Sequence, residues 1–110
     1  MKILFQISLS RKAGVAIFGF EKVKAAILCN QKILLIQATD GSIKEKKRIS
    51  VKNEVKILND YFDSVELGRI FGRQRVIHCA ILGRSFIEKI LFIANRLNNL
   101  KNPVPQYTNS

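Results

Sequence analysis

Arg73, Gln74 and Arg75 follow directly on Gly72, and Lys22 and Lys24 follow Gly19 at the head of an apolar-periodic segment. These are the positions whose types and spacing suggest chemistry. Arginine forks grip phosphate at two points and stack on unpaired bases, and a glutamine beside them reads a base edge. If Gly19 caps a helix, the first turn after it offers free N–H groups and the positive end of the helix dipole, which suits phosphate. Lysines at that end oppose the dipole. They make sense beside a bound anion, or they point to solvent. The run Lys44-Glu45-Lys46-Lys47-Arg48 is the densest basic stretch; it reads as the solvated face of a surface helix that could extend a polyanion footprint.

The remaining reactive side chains do not assemble into a catalytic set. His78 lies inside an apolar run, where a core or edge histidine is expected, and no serine or cysteine stands at a motif that would pair with it. Asp40-Gly41-Ser42 reads as a turn and cap, and Asp60 and Asp63 as solvated carboxylates. Two cysteines, Cys29 and Cys79, and one histidine cannot supply four ligands to a structural zinc. The cysteines stand in apolar contexts and read as buried thiols of a reducing cytosol, with a single disulfide left open. No phosphate-binding loop or dinucleotide fingerprint is present. The expectation is therefore no catalytic residue, no metal and no cofactor, and a cytoplasmic protein without a small-molecule substrate.

The elements that must position these residues follow from periodicity and punctuation. Residues 2–13 carry Ile3, Leu4 and Ile7 at helical spacing, with Gly14 to stop them; the short apolar start reads as a helix packed on the domain rather than a leader. Residues 15–18 suggest a brief strand. Residues 20–30 suggest a helix with Val23, Ala26 and Ile27 inward and Gly19 as N-cap. The unbroken run 33–38 is too short for a helix and suits a central strand buried on both faces. A basic helix over 43–53 follows. A strand comes next at 54–58, with Val55 and Ile57 inward. Ser64 is expected to cap a short helix, 65–71, and 75–82 forms a second buried strand. Ser85 and Glu88 match a capping box, and Ile87, Ile90, Leu91, Ala94 and Leu97 trace one face of the helix behind it. The chain from 101 to 110 holds both prolines and is expected to be disordered after a single domain, 1–100. Strands alternate with helices throughout, which predicts an α/β class: an open sheet of about four strands covered by helices on both faces.

Composition agrees with a folded domain, since 47% of the 110 residues are hydrophobic and 25% charged, so neither disorder nor a membrane class fits. No apolar stretch approaches the roughly 20 residues a bilayer crossing needs. Nineteen Lys and Arg against eight Asp and Glu give a formal charge of +11, a field that attracts polyanions, nucleic acid first and an anionic membrane surface second.

The order of these landmarks resembles a known family. Arg11-Lys12-Ala13-Gly14, Gly19, Val23 and Ala26-Ile27, then Ile33 to Ala38 followed by Asp40, then Leu67-Gly68 with Gly72, then Val76 to Ile81, together resemble the L-seven-Ae superfamily of kink-turn-binding ribosomal proteins. Within it the text is closest to the bacterial domain found behind YlxR-type RNA-binding domains. The resemblance implies a three-layer α/β/α sandwich with a mixed sheet. It also implies an RNA-binding edge built from the start of the second helix, Gly19 to Lys24, and the loop at Arg73 to Val76. Lys12, Gly19, Glu21, Lys22, Lys24, Arg73, Gln74 and Arg75 are then the candidate RNA contacts. Kink-turn readers carry Gly-x-Asn-Glu-x-x-Lys at the second helix; here Glu21, Lys22 and Ala25 replace its Asn, Glu and Lys, so the guanine-reading groups are not retained. The resulting expectation is a non-catalytic module for structured RNA, associated with the ribosome or translation. The alternatives are a protein-interaction module for an acidic partner and an accessory domain of an RNA-modifying enzyme. The two halves of the edge meet only if the last strand runs antiparallel to the strand at 33–38.

Overall fold

The structure, a computed structural model, describes residues 2–29, 32–49 and 55–101. Among these residues five helices and four strands alternate: α1 (Lys2–Lys12), β1 (Ala16–Phe18), α2 (Phe20–Leu28), β2 (Leu34–Gln37), α3 (Ile43–Ile49), β3 (Lys56–Leu58), α4 (Ser64–Phe71), β4 (His78–Ile81) and α5 (Arg84–Lys101). The sheet order is β1-β4-β2-β3. β4 pairs antiparallel with both β1 and β2, and β2 pairs parallel with β3. The sheet is thus mixed, and the condition that joins the two basic segments is met.

Every residue of β2 and β4 is buried. Because successive strand side chains point to opposite faces, each strand feeds two cores. Leu34, Ile36, Cys79 and Ile81 pack with Ile3 and Ile7 of α1, Leu67 and Phe71 of α4, and Ile90 and Ala94 of α5. Leu35 and Ala80 pack on the other side with Val23, Ala26 and Ile27 of α2 and Ile49 of α3. Helices α1, α4 and α5 therefore form one outer layer and α2 and α3 the other, an α/β/α sandwich.

Several local expectations are revised. The N-cap of α4 is Asp63, not Ser64: Asp63 accepts from the Glu66 N–H at 2.8 Å, and the Glu66 carboxylate accepts from the Asp63 N–H at 3.0 Å. Ser64 is instead buried inside the first turn. The Ser85–Glu88 capping box does not form, because the helix starts at Arg84, with Gly83 rather than Ser85 in the cap position. The Ile87 N–H donates to the Gly83 carbonyl at 2.9 Å, and Glu88 pairs with Arg84 at 3.3 Å. β3 is an edge strand, and while Val55 packs on the α2–α3 core, Ile57 lies 37% exposed beyond its cover. β4 is shorter than 75–82, since the Val76 N–H is spent on the Ser64 carbonyl at 2.9 Å rather than on the sheet. Both cysteines are free, and Cys29, expected inside, is exposed at the end of α2. Residues 50–53 of the basic helix and 102–110 of the expected tail lie outside the described residues. No helix is long and apolar enough to cross a membrane, among the residues described.

Candidate functional site

β1 ends at Phe18, α2 begins at Phe20, and Gly19 between them takes φ +100°, ψ 145°. Side chains rarely adopt such a φ, which explains glycine here. The backbone is pinned in this turn: the Gly19 N–H donates to the His78 carbonyl at 2.9 Å, and the Gly19 carbonyl accepts from the Val23 N–H at 3.1 Å. The turn sends the two rings to different layers. Phe18 joins the α1–α4–α5 core and Phe20 the α2–α3 core. No side chain caps this end of α2.

The loop from α4 to β4 arrives at the same rim. Gly72 closes α4 in the left-handed conformation, φ 69°, and the Arg73 N–H returns to the Gly68 carbonyl at 2.9 Å. The loop then runs back along the helix so closely that a Cβ on Gly68 would stand 2.6 Å from the Arg73 carbonyl oxygen and 2.8 Å from that of Gln74. Glycine at 68 is thus a packing requirement of the loop.

Phe18 is where the two segments converge. Its ring lies 4.8 Å from that of Phe71, centroid to centroid. The Arg73 guanidinium sits over it at 5.3 Å and the Lys22 ammonium at 5.9 Å. Arg11 adds a third cation, over Phe71 at 5.9 Å and donating to the Ile70 carbonyl at 3.0 Å. A cation over a ring face is held by the ring's quadrupole, about 0.5–1 kcal/mol at exposed sites. Lys22 therefore has a local reason to stand at the wrong end of the helix dipole.

Of the other candidates, Lys24 lies over Phe20 at 5.6 Å. Glu21 and Gln74 are exposed beside the junction, and Lys12 is exposed at the end of α1. Arg75 is held in a polar cluster. Its Nη2 meets Asp40 Oδ2 at 2.9 Å, and its Nε donates to Ser64 Oγ at 2.9 Å. Ser64 in turn donates to both Asp40 oxygens, at 2.7 Å from Oγ and 2.8 Å from its backbone N–H. The Ser64 hydroxyl, its N–H and Arg75 hold the Asp40 carboxyl down to about 2 from 3.8. This cluster ties the turn after β2, the start of α4 and the loop together, so Arg75 positions the rim.

His78 is a core residue, as expected. Its Nε2 lies 3.4 Å from Glu45 and its Nδ1 3.5 Å from the Gln37 side-chain amide. The neutral ring with its proton on Nε2 satisfies both, donating to Glu45 and accepting from Gln37. Burial lowers its pKa below 6.5, against the pull of Glu45. Burial likewise pushes the Cys79 thiol up to about 12, which removes it as a nucleophile at neutral pH. No group of three or more His, Cys, Asp or Glu is placed to hold a metal among the described residues.

The sequence reading named the lysines and arginines but missed Phe18, Phe71 and Arg11. The available signal was the pair of aromatic residues bracketing Gly19. Phe71 and Arg11 carry no such mark, since their role depends on how α1 and α4 pack.

No family model matches the chain, and no curated protein does. Among solved structures, it is similar to that of a protein with unknown function from Bacillus halodurans C. The TM-score is 0.77 at 23% sequence identity, over 86% of this chain and 97% of the other. That likeness supports the α/β sandwich.

Proposed function

We propose that the chain binds structured RNA, without catalysing a reaction, at the rim where the start of α2 meets the α4–β4 loop. The observation that carries this reading is the ring of Phe18, which holds Lys22 of one segment and Arg73 of the other. Phosphate needs cations, and an unpaired base needs a flat partner; a guanidinium backed by an aromatic ring supplies both. RNA is read mostly at bulges, loops and unstacked bases, which this combination fits better than a smooth duplex. An acidic protein partner would use the charge, whereas a guanidinium lying over a ring also offers an unpaired base a plane to stack on. The resemblance to the L-seven-Ae superfamily favours the same rim, and with it a ribosomal or other translation-associated RNA in the cytoplasm. Because Glu21, Lys22 and Ala25 replace the guanine-reading groups, the target is a stacked and phosphate-gripped element rather than a kink-turn read base by base.

The test uses a fluorescently labelled RNA hairpin with a six-nucleotide unpaired loop and a fully paired duplex of equal length. The wild-type protein is expected to prefer the hairpin. Phe18→Leu and Arg73→Gln should each weaken hairpin binding about tenfold, the scale of one lost stacking contact. Hairpin affinities unchanged in both variants, or co-purification of an acidic protein in a complex that survives RNase, would overturn the proposal.

A further inference from the structure

Phe20 repeats the arrangement of Phe18 on the other side of Gly19. Lys24 lies over its ring at 5.6 Å, and Arg48, from the last turn of α3, at 5.1 Å. The ring packs edge-to-face with that of His78, 5.7 Å from centroid to centroid. His78 also anchors α3 through Glu45, and the Gln37 amide donates to the Lys46 carbonyl at 3.4 Å. The short basic helix is therefore held against the sheet by polar contacts made from β2 and β4, and those contacts deliver Arg48 to Phe20.

Resting on the RNA reading of the rim, we infer that Phe20, Lys24 and Arg48 form a second stacking and phosphate seat. An RNA chain seated on Phe18 continues over Gly19 onto α3. The ligand class is correspondingly narrower: an RNA with at least two unpaired nucleotides able to splay to either side of the sheet's end, not a single extruded base. Phe20 is half-buried while Arg48 is exposed, so the cation presents the outer plane and the ring backs it. The basic run Lys44–Arg48 thereby becomes part of the footprint through one residue with defined geometry. Glu45, the acidic residue of that helix, pairs with His78 at 3.4 Å.

The same hairpin and duplex probes test this. Phe20→Leu, which leaves the charge unchanged, should weaken hairpin binding about tenfold and leave duplex binding as it is, whereas Phe20→Tyr should behave as wild type. Arg48→Gln should weaken the hairpin more than the duplex. If Phe20→Leu does not fold by circular dichroism, Arg48→Gln and Lys24→Gln decide. A wild-type hairpin affinity in these variants, or equal weakening on hairpin and duplex, overturns the second seat while Phe18→Leu still reports on the first. Failure of the wild-type protein to bind either probe overturns both.

Discussion

Two side chains make the folded state sensitive to acid in separate windows. His78 has a folded pKa below 6.5, so the unfolded chain binds its proton more readily. Stability is therefore full above 6.5 and declines as the pH falls through 6.5 toward the folded value. Asp40 works the other way in cause but with the same sense: its carboxylate is favoured in the fold, so its contribution is present above 3.8 and is lost as the pH falls toward about 2. Urea midpoints measured against pH should show two declines. His78→Gln should remove the upper one and Asp40→Asn the lower one. If the upper decline persists in His78→Gln, the histidine is not its source. Both residues were visible in the sequence as a strand histidine and a turn aspartate. Their partners were not: Glu45, Gln37, Ser64 and Arg75 come from elements whose approach only the sheet order fixes.

At the scale of elements, the α4–β4 loop illustrates what could and could not be read. Gly72 is legible as a helix stop because a left-handed C-cap follows from the residue type. Gly68 looks like an ordinary small residue within a helix, yet it is the surface on which the loop lies. Gly68→Ala would force a Cβ against two backbone oxygens that no side-chain rotation can relieve. The expected loss is about 1–3 kcal/mol of stability, seen in thermal melts, together with weaker RNA binding as Arg73 is lifted from Phe18. An alanine variant with wild-type melting and binding would mean that the loop yields freely. The helices themselves were legible from their apolar spacing, α5 and α2 most clearly. The cap of α4 was misplaced by one residue because Asp63 and Ser64 are both good N-caps; the reciprocal bond with Glu66, three residues on, favours Asp63. The inward placement of Ile57 failed because alternation says which face a residue takes, not whether that face is covered.

For the whole molecule, the charge of +11 sets how RNA binding should respond to salt. Arg11, Lys22, Lys24, Arg48 and Arg73 each lean on an aromatic ring at this rim. If each neutralises one phosphate, the logarithm of hairpin affinity should fall against that of salt with a slope of about −4, and each single cation-to-Gln change should reduce it by about one. A slope near zero would show that the rim cations do not meet phosphates. The α/β class and the layering were legible from alternation alone. The direction of β4 was not, and came only with the family resemblance, because periodicity is blind to whether a strand runs up or down. The place of β4 in the sheet order has a consequence for synthesis. Among the described residues β1 pairs only with β4, and Phe18 finds Cys79 across about sixty positions of chain. During translation, the early strand and its phenylalanine must wait, unpaired, until β4 has left the exit tunnel. The rim is thus among the last features to exist, and a nascent chain halted before residue 78 would lack the strand on which Phe18 is seated.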